Sequence, residues 1–328
     1  MTLSENKPLI LVTGEYYERG KEIYNSIEDF IVEQAPIDEK QLAERIKMTK
    51  PFAVVIGPEI YSGLLYEAMA EGSVLARYGV GYDGVDLEKA HENGLLVTNT
   101  PGVLETSVAE HTIFLAGEML RMPGLMTHLM KNGNWDTITG KELNRKTWAI
   151  LGLGSIGKQV SRILSFGFGT RVVALKRDMN NQEKLKEDFG VTKISNNFSE
   201  IVENADIVSL HLPAHDETRH FMNQKRLQTL KPGAFLINTA RGSLVDENAL
   251  YVALKNNHLS AAGLDVFENE PYEPVKKEMD LRSLSNVVLT PHVGSNTDFC
   301  SKRITERVLQ NIRLARDNKY EQMDIVPG

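Results

Sequence analysis

The chain has 328 residues, of which 41% are hydrophobic and 25% charged, with a single cysteine and a formal net charge of −7. Such a composition excludes a disordered or fibrous chain and an internal disulfide. The acidic balance also argues against a general affinity for nucleic-acid backbones or anionic lipid, which needs concentrated Lys and Arg, so any anion must be bound locally. Length predicts about two domains. No run approaches the roughly 20 apolar residues of a membrane helix, and residues 1–8 carry no apolar leader core, so a cytoplasmic location is expected.

In chain order, aliphatic runs at 9–13, 53–56, 74–78 and 96–98 read as strands, with helical periodicity at 39–48 and 63–70 between them. Residues 109–121 predict a long, largely apolar helix stopped at Met122-Pro123-Gly124, and a domain boundary falls just before it. Six further runs follow at 147–151, 171–175, 207–211, 234–238, 261–265 and 287–290, with helices at 157–166, 198–204, 224–229 and 247–256. Each run is almost continuously apolar, as expected when helices cover both faces of a parallel sheet. Six strands in one doubly wound sheet are therefore predicted. A last helix at 297–317, with Ile304, Val308, Ile312 and Ala315 at helical spacing, crosses back to the first unit. The expected domains are thus 1–103 with 297–328, and 104–296 inserted between them. The fold class is α/β.

The run Trp148-Ala149-Ile150-Leu151 leads into Gly152-Leu153-Gly154-Ser155-Ile156-Gly157, a GxGxxG pattern between a strand and a helix. The first glycine permits a tight turn, the second a close approach of the backbone to a pyrophosphate, and the third close helix packing. This predicts a dinucleotide site on a helix N-terminus. The residue ending the next strand, about 20 positions on, meets the adenosine ribose. Here that strand ends in Lys176-Arg177, followed by Asp178. Two cations favour the 2′-phosphate of NADP(H), with NAD(H) possible if Asp178 reaches the ribose hydroxyls.

Polar residues cluster just past three later strands, in Asn238-Thr239-Ala240-Arg241-Gly242, in the stretch from Gly263 to Pro271, and in Thr290-Pro291-His292-Val293-Gly294. In the first unit, Val80 and Gly81 lie in a glycine-containing loop whose amides can bind a substrate carboxylate. Cys300 reads as a buried spectator. No CxxC pair or HExxH run indicates a metal.

These stretches, with Arg77-Tyr78-Gly79-Val80-Gly81-Tyr82-Asp83-Gly84-Val85-Asp86, Asn99-Thr100-Pro101-Gly102 and Val108-Ala109-Glu110, make the chain resemble the D-isomer-specific 2-hydroxyacid dehydrogenases over nearly its whole length. The resemblance implies two Rossmann-like or flavodoxin-like domains, the cofactor domain inserted in the substrate domain. It implies Arg241, Glu270 and His292 as the catalytic set. His292 would supply the proton to a keto oxygen, Glu270 would fix its tautomer, and Arg241 would offer a planar fork to the substrate carboxylate. Glu268 is a nearby alternative, but Glu270 stands directly before Pro271, as in the family pattern. Asp265 would contact the nicotinamide carboxamide, Thr239 and Ala240 would line the ring, and Ser155 and Ile156 would give amides to the pyrophosphate. Leu212 and Pro213, after His211, would lie beside the adenosine half. The resemblance further implies reduction of a small 2-keto acid, glyoxylate or hydroxypyruvate, with 3-phosphoglycerate dehydrogenase or D-lactate dehydrogenase as alternatives. The chain ends without the extra domain of many phosphoglycerate enzymes. A corepressor-like, NAD(H)-sensing binding protein is the alternative of another class. Relatives that pair through the cofactor domain suggest a homodimer, through the apolar helix at 109–120.

Overall fold

The computed structural model describes residues 7–327; residues 1–6, part of the stretch read as lacking a leader, and residue 328 lie outside the described residues. Two units emerge, residues 1–104 with 296–328, and residues 105–295.

The first unit runs β1 (Leu9–Thr13), α1 (Gly14–Ser26), β2 (Ile31–Ala35), α2 (Glu39–Thr49), β3 (Ala53–Ile56), α3 (Leu64–Ala68), β4 (Val74–Arg77), α4 (Leu87–Glu92) and β5 (Leu96–Thr98). Its strands are all parallel, in the order β2-β1-β3-β4-β5. Central strands β1, β3 and β4 bury Ile10, Leu11, Val54, Ile56 and Leu75 completely. Each such side chain contributes about 1.5–3 kcal/mol of transfer free energy. β2 was not among the expected strands: its sequence IVEQA carries Glu33 and Gln34, and as an edge strand it needs only one apolar side. α2 starts where Asp38 accepts the Gln41 amide at 3.0 Å.

The second unit runs α5 (Glu105–Arg121), α6 (Pro123–Lys131), β6 (Thr147–Leu151), α7 (Ser155–Phe168), β7 (Arg171–Leu175), α8 (Gln182–Phe189), β8 (Val191–Ser195), α9 (Phe198–Val202), β9 (Ile207–Leu210), α10 (Gln224–Thr229), β10 (Ala234–Asn238), α11 (Glu247–Lys255), β11 (Leu259–Leu264) and β12 (Val287–Leu289). The sheet has seven strands, not the six expected, in the order β12-β11-β10-β9-β6-β7-β8. The extra strand, β8, is again an edge strand, with exposed Thr192 and half-buried Lys193 interrupting its apolar run. Helix α5 ends near Pro123 as expected, but Pro123 does not end helical structure. Met122 turns the chain at φ 52°, and Pro123 takes the first turn of α6, where its missing N–H leaves no bond unmade.

Alternate residues of β6 feed opposite faces: Trp148 and Ile150 join a core with Val160 and Leu164, while Ala149 and Leu151 join Leu210, Leu236 and Leu250. β6 pairs with both β7 and β9, Leu151 standing opposite Leu175 and Leu210. From this strand the sheet is built outward in both directions, which opens a crevice at the carboxyl end of β6.

The chain then returns to the first unit in α12 (Asp298–Arg316), capped by Thr297, whose Oγ1 accepts the Cys300 amide at 3.2 Å. Ile304, Val308, Ile312 and Ala315 are buried, and the Tyr78 hydroxyl donates to the Ser301 carbonyl at 3.0 Å. No helix among the described residues is long and apolar enough to cross a membrane.

Candidate active site

At the carboxyl end of β6, Gly152 has φ +103°, and a Cβ there would lie 2.5 Å from the His211 carbonyl oxygen. A Cβ on Gly157 would lie 2.3 Å from the Gly152 oxygen, whereas one on Gly154 would meet nothing within 4 Å. The turn therefore packs against its own chain at both outer glycines and is open at the middle one. α7 begins at Ser155 with Gly154 as its cap and no side chain over its end. The amides of Ser155, Ile156 and Gly157 precede the first intrahelical bond, from Lys158 to the Gly154 oxygen at 3.0 Å. Uncapped amides and the positive helix end form a seat for a pyrophosphate. The structure thus fits a dinucleotide.

Past β7, the Lys176 ammonium pairs with Asp178 Oδ2 at 3.2 Å and also reaches the Asp178 carbonyl. The Asn180 amide, and after it Lys176, hold the Asp178 carboxyl below its ordinary range. Arg177 is exposed. After β9, the His211 ring is buried, Nε2 meeting Ser209 Oγ at 3.0 Å, and burial pushes its pKa down to about 3. His211 is a neutral structural imidazole followed by Leu212 and the exposed Pro213.

The Asp265 carboxylate, 1% exposed at the end of β11, organises the loop after β12. Its Oδ1 accepts the Thr290 hydroxyl (2.6 Å) and the Val293 amide (2.9 Å), and its Oδ2 the Gly294 amide (2.8 Å). Burial alone would raise this carboxyl, but hydrogen bonds from His111, Thr290 and Val293 outweigh it and hold it low. His111, from α5, lies 3.3 Å from Oδ1. Within this loop His292 has φ +52°, its amide bonded to the Asp265 carbonyl at 2.8 Å. That left-handed backbone is uncommon for a non-glycine residue. Here it accompanies a side chain whose Nδ1 meets Glu270 Oε2 at 2.7 Å. The other Glu270 oxygen accepts the Phe267 amide at 3.0 Å. Nε2 of His292 has no partner among the described residues.

Arg241 follows β10 in a turn held by Asn238, whose Oδ1 accepts the Ala240 amide (3.1 Å) and whose Nδ2 donates to the Arg241 carbonyl (2.8 Å). Its guanidinium donates to the Ala240 carbonyl at 2.7 Å. Thr239 Oγ1 meets Thr112 Oγ1 at 2.8 Å. In the first unit, Asn99 Nδ2 donates to the Val80 carbonyl at 2.8 Å. The amides of Val80 and Gly81 have no partner among the described residues, as suits a carboxylate-binding loop.

A family model for the NAD binding domain of D-isomer specific 2-hydroxyacid dehydrogenases matches residues 113–294. Over 314 residues the chain is 35% identical to a glyoxylate reductase of Korarchaeum cryptofilum, covering 93% of this chain and 92% of that protein. This chain belongs to the D-isomer specific 2-hydroxyacid dehydrogenases. A D-3-phosphoglycerate dehydrogenase of Methanocaldococcus jannaschii is 34% identical over 306 residues, which cover 93% of this chain and 56% of that protein. The NADPH-dependent glyoxylate/hydroxypyruvate reductase of Sinorhizobium meliloti, solved with NADP and malonate, superposes with a TM-score of 0.80 at 30% identity, over 94% of this chain and 93% of that one. As a member of the family, the protein is an NAD(P)-dependent oxidoreductase that interconverts a keto acid and a hydroxy acid.

In this dehydrogenase the structure joins His292 to Glu270 and ties Asp265 to the loop carrying His292. Arg241 anchors its turn through Asn238 and the Ala240 carbonyl. Sequence reading assigned no role to His111, to Thr290 as a partner of Asp265, or to Glu247, and it weighed Glu268 only as an alternative to Glu270. The signal for His111 was its place nearly two turns into α5, in the polar stretch Glu110-His111-Thr112 of a largely apolar helix. Glu268 is not solvent-facing: it is 9% exposed at its side chain and pairs with His220 Nε2 at 2.8 Å. Among the described residues no cluster of three or more His, Cys, Asp or Glu could hold a metal.

Proposed function

We propose that this enzyme reduces a small 2-keto acid, of the glyoxylate or hydroxypyruvate class, to the D-2-hydroxy acid, with NADPH preferred. The observation that carries this reading is the His292–Glu270 pair, one imidazole nitrogen held at 2.7 Å by a carboxylate and the other without a partner among the described residues. A nicotinamide cofactor, seated on Gly152, Gly154, Ser155, Ile156 and Gly157, supplies the hydride when bound. The chain's own residues do the rest. Nε2 of His292 gives its proton to the keto oxygen as the carbonyl carbon is reduced, and Glu270 stabilises the imidazolium until that transfer. The Arg241 fork holds the substrate carboxylate and polarises the carbonyl. Asp265, Thr239 and Ala240 border the nicotinamide, and in the first unit the Val80 and Gly81 amides suit a carboxylate. Leu212 and Pro213 flank the adenosine.

The NADPH preference follows from the end of β7. Asp178 is paired with Lys176 and accepts the Asn180 amide, which weakens it as a holder of ribose hydroxyls, while Arg177 is exposed to meet a 2′-phosphate. A second copy of the chain is the proposed partner. α6 buries none of its residues, and Phe114, 67% exposed, lines a groove of about 750 Å³ with Ile113, Leu120, Leu143 and Phe168; Trp135 and Phe166 are 81% and 65% exposed. Exposed large apolar side chains beside an apolar groove support an interface with a second copy.

Loss of nicotinamide absorbance tests the reaction. Purified enzyme is mixed with NADPH or NADH and with glyoxylate, hydroxypyruvate, pyruvate or phosphohydroxypyruvate. Turnover highest with the first two acids is expected. Fastest turnover of either other acid would reassign the substrate, and cofactor binding with no turnover would favour a nucleotide-sensing binding protein.

A further inference from the structure

Beside the His292–Glu270 pair lies a second set of ionisable groups that the proposed hydride chemistry does not use. Glu247, the first residue of α11, is 5% exposed. Its Oε1 accepts the Glu268 amide at 2.7 Å, and its own amide donates to Glu268 Oε1 at 3.3 Å. This reciprocal clasp joins the start of α11 to the loop after β11. Glu268 Oε2 in turn holds His220 Nε2 at 2.8 Å and lies 3.6 Å from Arg219. One residue before Glu268, the Phe267 amide grips Glu270, which grips His292. The remaining Glu247 oxygen, Oε2, is buried with no hydrogen-bond partner. Groups facing Glu247 are Glu268 and Glu270 from the loop, His220 from the segment before α10, and Tyr272.

We propose that Glu247 is a positioning residue for the proton donor: clasped to the Glu268 backbone, it fixes the 267–270 loop and, through Glu270, sets the orientation and charge balance of His292. This rests on the reading of His292 as proton donor. Glu247 at the start of α11 and Glu268 and Glu270 in the loop after β11 repel one another when all three are ionised. Burial, aided by the Glu268 and Glu270 charges and opposed by the Glu268 amide, pushes the Glu247 carboxyl up to about 7. Glu247 thus stays neutral in mild acid and there adds no charge beside Glu268 and Glu270. Above neutrality it adds a negative charge beside the pair.

The test compares the full-length wild type with Glu247→Gln and Glu247→Ala. Gln keeps an acceptor for the Glu268 amide and cannot ionise; Ala removes both properties. The Ala variant is expected to lose about tenfold in kcat with little change in the KM for NADPH, and Gln to recover most of that loss at pH 6. In Gln, the alkaline limb of kcat for reduction should move to lower pH by about half a unit, because the charge that favours the imidazolium is gone. Histidine ¹⁵N NMR should show the His292 titration in Gln moving the same way, whether or not any keto acid is turned over. An alkaline limb and a His292 titration both unmoved in Gln, with kcat of Ala within twofold of wild type, would reduce Glu247 to a packing residue. Absence of turnover in the wild type with the NMR shift present would instead defeat the reductase reading and leave the positioning intact.

Discussion

The buried acid also makes a prediction about stability that is independent of turnover. Glu247 has an ordinary carboxyl pKa of 4.5, raised in the fold to about 7. Below 4.5 the carboxyl is protonated in both folded and unfolded chains and contributes no pH dependence. As pH rises from 4.5 to about 7, the unfolded chain ionises while the folded one holds its proton, so stability is progressively lost; above 7 the loss is constant. The separation of about 2.5 units, at ~1.4 kcal/mol each, gives a loss of about 3 kcal/mol as an upper bound. Glu247→Gln cannot ionise and removes this term. It also places an amide N–H where Oε2 has no partner, a penalty of about 1–3 kcal/mol at every pH. The diagnostic quantity is therefore the change with pH of the difference between variant and wild type. From pH 4.5 to 8.5 that difference should move in the variant's favour by up to about 3 kcal/mol, equivalent to roughly 6–12 °C in Tm for a unit of this size. Thermal unfolding followed by circular dichroism across that range measures it. A difference that is flat with pH would show that Glu247 is ionised throughout and that its burial is compensated by a group acting on Oε2.

Three other outcomes address the proposed chemistry. His292→Ala should lower kcat by about 100- to 10,000-fold while the dissociation constant for NADPH stays near that of the wild type, since general acid catalysis is worth that much; unchanged kcat would remove His292 from the reaction. Arg241→Lys should raise KM for the keto acid and lower kcat together, because a point charge replaces a planar fork, and normal kinetics would confine Arg241 to its turn with Asn238. Arg177→Ser should reduce kcat/KM for NADPH about tenfold or more and leave that for NADH nearly constant, as expected for loss of a phosphate contact of ~1.4 kcal/mol or more; equal effects on both cofactors would show that Arg177 does not read the 2′-phosphate.

The parts of the fold that were legible in the sequence are those where one physical requirement acts alone. β6, β9 and β10 are buried on both faces and are written as almost continuously apolar runs, Ser209 in β9 being a buried exception. β2 and β8 are edge strands whose outer sides tolerate Glu33 and Lys193, and their pattern falls below that threshold. α7 begins two residues before the expected Gly157, because Gly154 supplies its cap without any side-chain signal. In the site, the glycine turn could be read directly, since Gly152 and Gly157 answer to the local backbone and to one close neighbour. The His292–Glu270 pair could not be read from spacing, being 22 residues apart across β12. It came from resemblance to a family, and the geometry now shows the two side chains in contact.

Glu247 and His220 lay beyond both kinds of reading. An acid in the first turn of α11 has a sufficient ordinary explanation in the helix dipole, and nothing in its own segment announces that Glu268, 21 residues later, will close over it. Its raised pKa is not a property of its residue type or its neighbours in sequence. It is produced by burial beside charges delivered from the loop after β11, with His220 coming from the segment before α10. The same reasoning separates the histidines. His211 follows a strand end as His292 nearly does, yet one is buried to neutrality against Ser209 and the other is held by a carboxylate with a nitrogen to spare. What each ring can do is therefore set by what surrounds it, and that is determined only when separate stretches of chain meet.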